Sequence, residues 1–516
     1  MLLALATFLL VSFSNLFAQE KAPDPDTKGF ILNYENHLNV LQQIMNQAKV
    51  SEDPKETPRA FFVGGSVRDY LLGKRGQDAD IEIYHVPFDE LEKMVAKVFP
   101  NPSQYKVYRQ YGMIHIEDPD LDLAVPRREK YSKESDKLEI EIAPHLSYSD
   151  ALIRRDLTVN AVLMDALKMY QLYKEKRDLP NIQAMCEQGI LIDPYHAIGE
   201  KELKVVDEQY FVREPHRLLR AMRFISSLHL QPGAQLTALA KSMHMKSSLP
   251  ARLIFGETNK LFSLQNPLEG LRWVKSIDQL SMLFPPPCKL PDIRTAELLM
   301  EKIPDGAEWS SKQSRLLYAA LLLQNMSIDF KDFGKCLTKI IDDGDLKYYL
   351  SNFFRLMQKL RPLCLSSQKA GPASDIEVAL ELASQSITIN NQNASMLKNH
   401  NTYRPMNIGE VLTVLQAMAE SAVDSVNSLA AYKHCREMVQ RLNISDRPFT
   451  ALAKKRELKN PLLKQTGEEE KKAGECLKKS LEMQVMQSVQ RPEEELSTLK
   501  KNMEAQWPEC MKLITF

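Results

Sequence analysis

Two aspartates one residue apart, in Asp78-Ala79-Asp80, follow closely on the run Phe62-Val63-Gly64-Gly65-Ser66-Val67-Arg68-Asp69. In a β-strand, residues two apart share a face, so Asp78 and Asp80 can aim two carboxylates at one point while Ala79 turns into a core. A hard divalent cation such as Mg²⁺ suits that pair, since it takes one or two carboxylates and completes its shell with substrate phosphates. Gly64 and Gly65 lack β-carbons, which lets a phosphate approach the backbone amides. Arg68 then adds a forked cation to the same phosphate. Metal ligands beside a phosphate cradle point to chemistry on a nucleoside triphosphate.

Two-metal chemistry wants a third carboxylate, to hold the cation that activates an attacking hydroxyl. Asp122, in Leu121-Asp122-Leu123-Ala124-Val125, is the candidate, because an acid inside an apolar strand run is costly unless paired or metal-bound. The competing reading is an edge-strand acid facing solvent, like Asp120 two residues away. Downstream, Arg154-Arg155-Asp156-Leu157-Thr158-Val159-Asn160-Ala161 reads as the opening of a helix-like run. Its charges can grip triphosphate oxygens and a ribose hydroxyl together, or simply salt the start of a helix. In Arg213-Glu214-Pro215-His216-Arg217-Leu218-Leu219-Arg220-Ala221-Met222-Arg223-Phe224, a helix starting near Pro215 gathers Arg217, Arg220 and Arg223 on one side. Three cations on one face repel. They call for an anion, either a triphosphate or RNA backbone from outside, or acids from the next layer.

The elements that must position these groups change character along the chain. Short β-rich runs at 60–63, 81–84, 113–116, 121–125 and 138–142 alternate with helical stretches such as 88–98, as expected of a mixed α/β head. After Asp193 strand signals nearly vanish, and 217–228, 236–243, 266–280 and 312–323 carry helical periodicity, interrupted by Phe284-Pro285-Pro286-Pro287. At 516 residues the chain exceeds one ordinary core. Its net charge of zero restricts any nucleic-acid surface to a local patch. Basic clusters such as Lys454-Lys455-Arg456 read as ordinary surface. The seven cysteines are scattered with no CxxC spacing, so reduced thiols are expected rather than a disulfide framework or a zinc site. Residues 1–18 are uncharged and apolar over the length of a signal-peptide core, yet lack a preceding Lys or Arg. An export signal, a membrane anchor and a buried helix all remain open for them.

In this order, GGSVRDYLLGK, DADIEIY, LDLAVPRREK, RRDLTVNAVLMD, LIDPYHAIGEKELKVV and EPHRLLRAMRF resemble the class II nucleotidyltransferases of the tRNA CCA-adding enzyme and bacterial poly(A) polymerase group. The likeness covers residues 61–284, its last part, 252–284, resembling that family's helical neck. It implies an α+β architecture: a polymerase-β-like nucleotidyltransferase head followed by an all-helical neck, body and tail. The corresponding divisions are a signal-like segment 1–18, a linker and N-terminal helix 19–58, a head 59–170, a neck 171–284, an RNA-binding body 285–465 and a charged tail 466–516. The resemblance implies Asp78 and Asp80 as metal ligands for Mg²⁺, to which the reading of its strand adds Asp122. It puts Gly65, Arg68 and Arg155 on the incoming nucleotide, to which the residue reading adds Gly64 and Asp156. Glu214 and Arg217 would read the base edge, with Arg220 and Arg223 in support. The implied substrates are ATP, CTP and the 3′ end of tRNA or another RNA, with no protein partner and with membrane contact only through an uncleaved N-terminal anchor. The implied activity is CCA addition in the cytoplasm; poly(A) synthesis and a catalytically impaired RNA-binding relative are the alternatives. Two features depart from the family pattern. Arg213-Glu214 stands where Glu-Asp is usual, and Lys130 to Ile142 contains no glycine where a Gly-rich flexible loop is usual.

Overall fold

The computed structural model describes residues 26–49, 52–53, 56–74, 79–131, 138–176, 180–243, 248–303, 307–324, 330–367, 408–421, 426–441 and 505. Residues 1–18, Asp78, 132–137, the cluster 454–456 and the charged tail, apart from residue 505, lie outside the described residues. The chain divides into two compact units, residues 1–225 with 229–244, and residues 226–228 with 245–516.

The first unit is built on β1 (Arg59–Val63), β2 (Ala79–Tyr84), β3 (Tyr105–Tyr108), β4 (Met113–Ile116), β5 (Leu121–Ala124), β6 (Arg127–Tyr131), β7 (Leu138–Ile142), β8 (Leu163–Asp165) and β9 (Leu191–Ile192). Seven of them form one sheet in the order β3-β4-β5-β2-β1-β8-β9, while β6 and β7 pair as a separate hairpin. The β2–β5 pair is parallel and the other pairs of the large sheet are antiparallel. Strand alternation sorts the side chains. Ala79, Ile81 and Ile83 join Leu121, Leu123, Ile114 and Ile116 in one core. Phe61, Val63, Tyr84 and Leu163 face the other way, under Leu146, Ala151 and Leu152. Ala79 is 3% exposed, so the residue between the two aspartates does turn inward.

Helices cover the first face. In α1 (Thr27–Met45), Ile31, Tyr34, Leu38 and Leu41 recur at helical spacing and are buried, and the Asp26 side chain caps the helix by accepting from the Gly29 amide at 2.8 Å. The short α2 (Gly65–Leu71) follows β1, and α3 (Phe88–Val98) buries Phe88, Leu91, Met94 and Val95. Truncating Leu91 to alanine there would cost about 2–5 kcal/mol. After α4 (Tyr148–Leu152), α5 (Ala166–Lys176) adds Met169, Tyr170 and Tyr173 to the same core. The sheet therefore continues past residue 170, where the resemblance set the start of the neck, and β9 is its last edge. The unit ends with α6 (Ile182–Glu187), α7 (Glu208–Arg213), most of α8 (His216–Leu228) and α9 (Ala234–Ser242). The two-residue strands β10 (Glu202–Leu203) and β11 (Gln231–Pro232) pair in parallel.

One local expectation fails. The segment 154–161 opens no helix: Leu157 is extended, bridging Val205, and Thr158–Asn160 forms a single 3-10 turn. Asp156 accounts for this, since its carboxylate accepts from the Leu157 amide and the Asn160 side chain, both at 2.9 Å. Such local bonds compete with the helical ladder, and β-branched Thr158 and Val159 add little helix preference.

The second unit is helical throughout its described residues: α10 (Ala251–Phe262), α11 (Leu268–Ser276), α12 (Leu280–Leu283), α13 (Ile293–Met300), α14 (Ala307–Leu322), α15 (Phe330–Ile340), α16 (Gly344–Ser367), α17 (Ile408–Ser421) and α18 (Val426–Arg441). Among the described residues no helix is long and apolar enough to cross a membrane. Two disulfides, Cys288–Cys336 and Cys364–Cys435, overturn the expectation of reduced thiols. Their sequence separations of 48 and 71 leave no local spacing signal, because helix packing rather than a short motif brings the sulfurs together. Closing loops of that size stabilises the folded chain by roughly 4 kcal/mol per bridge in the chain-entropy account. Thermal unfolding should therefore show a lower midpoint with dithiothreitol than without. A midpoint indifferent to reductant, with no cross-linked peptides in a non-reducing digest, would contradict the bridges.

Candidate active site

The parallel register of β2 and β5 pairs Asp80 with Asp122. Both project from the face opposite the Ile81 and Leu123 core, on strands about 4.8 Å apart. β5 has a neighbour on each side, so Asp122 is not an edge-strand acid. It stays 39% exposed, and its Oδ1 lies 2.9 Å from Nδ1 of His115, its cross-strand partner on β4. A proton on that nitrogen would let His115 donate to the carboxylate and hold its orientation. Asp120, by contrast, is 83% exposed and 3.8 Å from the same nitrogen.

The glycine turn closes against this pair. Gly64 has φ 68° and ψ −126°, outside the range of L-residues, and Ser66 Oγ donates to the Val63 carbonyl at 3.0 Å to fasten the bend. A β-carbon on Gly64 would come within 3.0 Å of Arg155 Nη1 and 3.9 Å of Asp80 Oδ2. The missing side chain is thus what admits the Arg155 guanidinium beside Asp80. Gly65 begins α2, with Arg68 one turn on.

Three charged clusters and one lone guanidinium meet behind these groups. Glu82, 1% exposed, lies two residues beyond Asp80 on the same face. It accepts from Arg154 Nη2 and from the Tyr84 hydroxyl, both at 2.9 Å. Burial and the adjacent Glu82 charge push the Tyr84 hydroxyl far above its usual range. Arg155 is different. Its guanidinium has no hydrogen bond or ion pair among the described residues, and its Nε, like that of Arg154, is buried without a partner. Burial, then neighbouring Arg154, hold its pKa below the ordinary arginine value, and the carboxylates of Glu82, Asp80 and Asp156 only partly offset them. A desolvated cation with an orphaned donor suits an anion such as phosphate.

Arg217 is 5% exposed and braces the same segment. It donates to the Arg154 carbonyl at 2.7 Å, to the Arg155 carbonyl at 3.2 Å and to Glu214 Oε2 at 3.2 Å. Three of its five N–H groups are therefore engaged within the chain. Asp156 accepts from Arg220 Nε at 2.6 Å, and Asn160, which donates to Asp156, accepts from Arg68 Nη1 at 2.8 Å. The Arg68, Arg220 and Arg223 guanidiniums lie 4.9, 5.5 and 4.2 Å from the centre of the buried Phe224 ring. Internal acids thus meet two members of the arginine row, Glu214 taking Arg217 and Asp156 taking Arg220, and an aromatic ring spaces the rest.

Asp80, Asp122, Gly64 and Arg155 come together at one point, whereas Arg68, Asp156, Arg217, Arg220 and Arg223 form a bracing lattice around it. Four participants escaped the sequence reading: His115, Glu82, Asn160 and Phe224. Extending the period-two rule one step beyond Asp80 reaches Glu82. Nothing local marks His115 or Phe224, whose roles depend on cross-strand and inter-helix contacts.

The Asp156 carboxyl is governed first by burial, which alone would raise its pKa, but Arg220, Asn160 and the Leu157 amide outweigh burial and lower it. Its stabilising contribution is therefore present above the unfolded value, about 3.9, and is lost as pH falls through the depressed folded value. Asp156→Asn should cost about 3 kcal/mol at pH 7 by leaving Arg220 without its anion. That deficit, followed by urea unfolding, should shrink as the pH is taken below about 4.

Residues 60–183 match the family described as the poly A polymerase head domain. The multifunctional CCA protein of Shewanella denitrificans is 27% identical over 299 residues, covering 54% of this chain and 63% of that protein. The A-adding tRNA nucleotidyltransferase of Aquifex aeolicus is 28% identical over 295 residues, covering 52% of this chain and 32% of that protein. The chain thus spans less than two thirds of the length of these curated relatives. Among solved structures, the Thermotoga maritima CCA-adding enzyme complexed with tRNA has a TM-score of 0.53 at 18% identity, covering 90% of this chain and 95% of that one. An apo CCA-adding enzyme has a TM-score of 0.53 at 19% identity, covering 93% and 98%. The α+β head with a helical remainder is the fold of those enzymes.

Proposed function

We propose that the chain, whose residues 60–183 match the poly A polymerase head-domain family, is a template-independent nucleotidyltransferase that adds CMP and AMP to RNA 3′ ends, tRNA CCA addition above all. The observation that carries this reading is the pairing of Asp80 with Asp122 beside the Gly64 turn and the orphaned Nε of Arg155. Two in-register carboxylates, with Asp78 as a third donor from the sequence, fit a divalent cation, and their all-oxygen chemistry favours Mg²⁺. When bound, such a cation lowers the pKa of the attacking 3′-hydroxyl and neutralises charge on the triphosphate.

The chain's own residues would do the rest. Arg155, admitted by Gly64, would pair with phosphate oxygens, and Arg68, fixed by Asn160 and Asp69, would flank them. Arg217 would hold the 154–155 backbone rigid, so the Arg155 guanidinium arrives pre-oriented. Its two uncommitted N–H groups suit base ring acceptors, while the Glu214 carboxylate suits the exocyclic amine that cytosine and adenine share. Glutamate in place of the family's usual aspartate moves that carboxylate outward by one bond. Base selection is accordingly the step most exposed to change.

The test supplies the purified chain and Mg²⁺ with tRNA lacking its 3′ end. CTP alone should give a short, defined extension, and ATP alone should extend only tRNA that already carries both cytidines. Long tails from ATP alone would assign the chain to poly(A) synthesis; RNA binding with no incorporation would make it an impaired relative. Asp80→Asn and Asp122→Asn should each lower incorporation by about 10³-fold, several kcal/mol of lost transition-state stabilisation, while leaving tRNA affinity nearly unchanged. A cytoplasmic nucleotide pool suits this chemistry.

A further inference from the structure

Away from the carboxylate pair, Glu56, His85 and His145 bring three metal-binding atoms together. His85 immediately follows β2, His145 follows β7, and Glu56 precedes β1. Glu56 Oε2 is 2.6 Å from His145 Nδ1 and 3.5 Å from His85 Nδ1, and the two Nδ1 atoms are 3.4 Å apart. We propose that these residues form a second metal site, one that takes Zn²⁺ or a similar borderline divalent ion on two imidazole nitrogens and one carboxylate oxygen, with water as the fourth ligand.

Geometry supports the assignment. Ligands about 2.0–2.1 Å from a tetrahedral ion lie roughly 3.3–3.4 Å from one another. Two edges of the triangle already have that length, and the third, between Glu56 and His145, would need to open by about 0.8 Å. An ion about 2.0–2.1 Å from all three atoms would sit within about 1 Å of their plane, leaving its outer side for water. The nitrogen pair favours a borderline ion over Mg²⁺ or Ca²⁺, which prefer oxygen.

The scaffold holds the donors in position. The His85 amide donates to the Pro144 carbonyl at 2.9 Å, tying the end of β2 to the residue before His145. His85 adopts φ 63°, a left-handed conformation uncommon outside glycine, and this bend accompanies the convergence of its ring with that of His145. Arg59, whose charge is felt at His85, is committed to Asp165 at 2.7 Å. Five residues of extended chain, about 16 Å, separate His85 from Asp80 along β2, so the two sites are distinct. An ion here would pin three connections of the head, those leading into β1, out of β2 and out of β7.

The whole chain, stripped with EDTA and kept in excess Mg²⁺ to fill the carboxylate pair, would be titrated with ZnCl₂ by calorimetry. One zinc per chain is expected, with a raised thermal midpoint. His145→Ala, at a 54% exposed position, should weaken zinc by at least the roughly 10–100-fold that loss of an outer partner costs, and Glu56→Gln should weaken it as well. Both variants should keep the far-ultraviolet spectrum and the Mg²⁺-supported incorporation of the parent, so failure of the zinc site and failure of the proposed activity are separable. Absence of zinc binding by the parent chain, or affinity unchanged from the parent in both variants, would overturn the site.

Discussion

The parallel pairing of β2 with β5 is the constraint on which the rest depends. In a sheet otherwise antiparallel, it sets residue 80 opposite residue 122 and so brings two like charges face to face. Parallel neighbours cannot be joined by a tight turn. The intervening α3, β3 and β4 make the crossover, and their apolar faces bury the side of the sheet that the aspartates avoid. A one-residue slip would turn Asp80 inward and Ala79 outward, exchanging a site for a buried charge. Packing of Ile81, Ile83, Leu121 and Leu123 is therefore what enforces the chemistry.

Behind the pair, charge is balanced group by group. Glu82 meets Arg154, Asp156 meets Arg220, and Arg217 turns from a surface cation into a brace on two backbone carbonyls. Arg155 stands apart: Arg154, whose Nε is likewise buried without a partner, is still held by Glu82, whereas the Arg155 guanidinium makes no hydrogen bond or ion pair among the described residues. A folded chain tolerates such a group where the surrounding lattice over-determines it and where an incoming anion completes it. Charge at this turn is thus settled locally, group by group, in a chain with no net charge.

Much of this was legible in the sequence because its signals are local. β1, β2 and β4 announce themselves by β-branched and aromatic runs, β5 and β7 by apolar residues alternating with acids, and α3 and α8 by their apolar spacing. β3 and β6 do not: Tyr105-Lys106-Val107-Tyr108 is a half-exposed edge, and Arg127-Arg128-Glu129-Lys130-Tyr131 carries its charges in a hairpin. The segment at Asp156 misled because one side chain takes the Leu157 amide from a helical ladder and also ties down the Asn160 side chain. The disulfides and the His115, Asn160 and Phe224 contacts belong to tertiary geometry, where spacing along the chain says nothing.

Gly64 carries a consequence of another kind. Its torsion angles exclude nearly every other residue, and the space where a methyl group would go is claimed by a guanidinium. The first filter is intrinsic to L-chirality, while the second lies at the far end of the Arg155 side chain, which a β-carbon would displace by a few tenths of an ångström. Substitution at this bend therefore carries a backbone cost that no rearrangement of the neighbouring side chains removes.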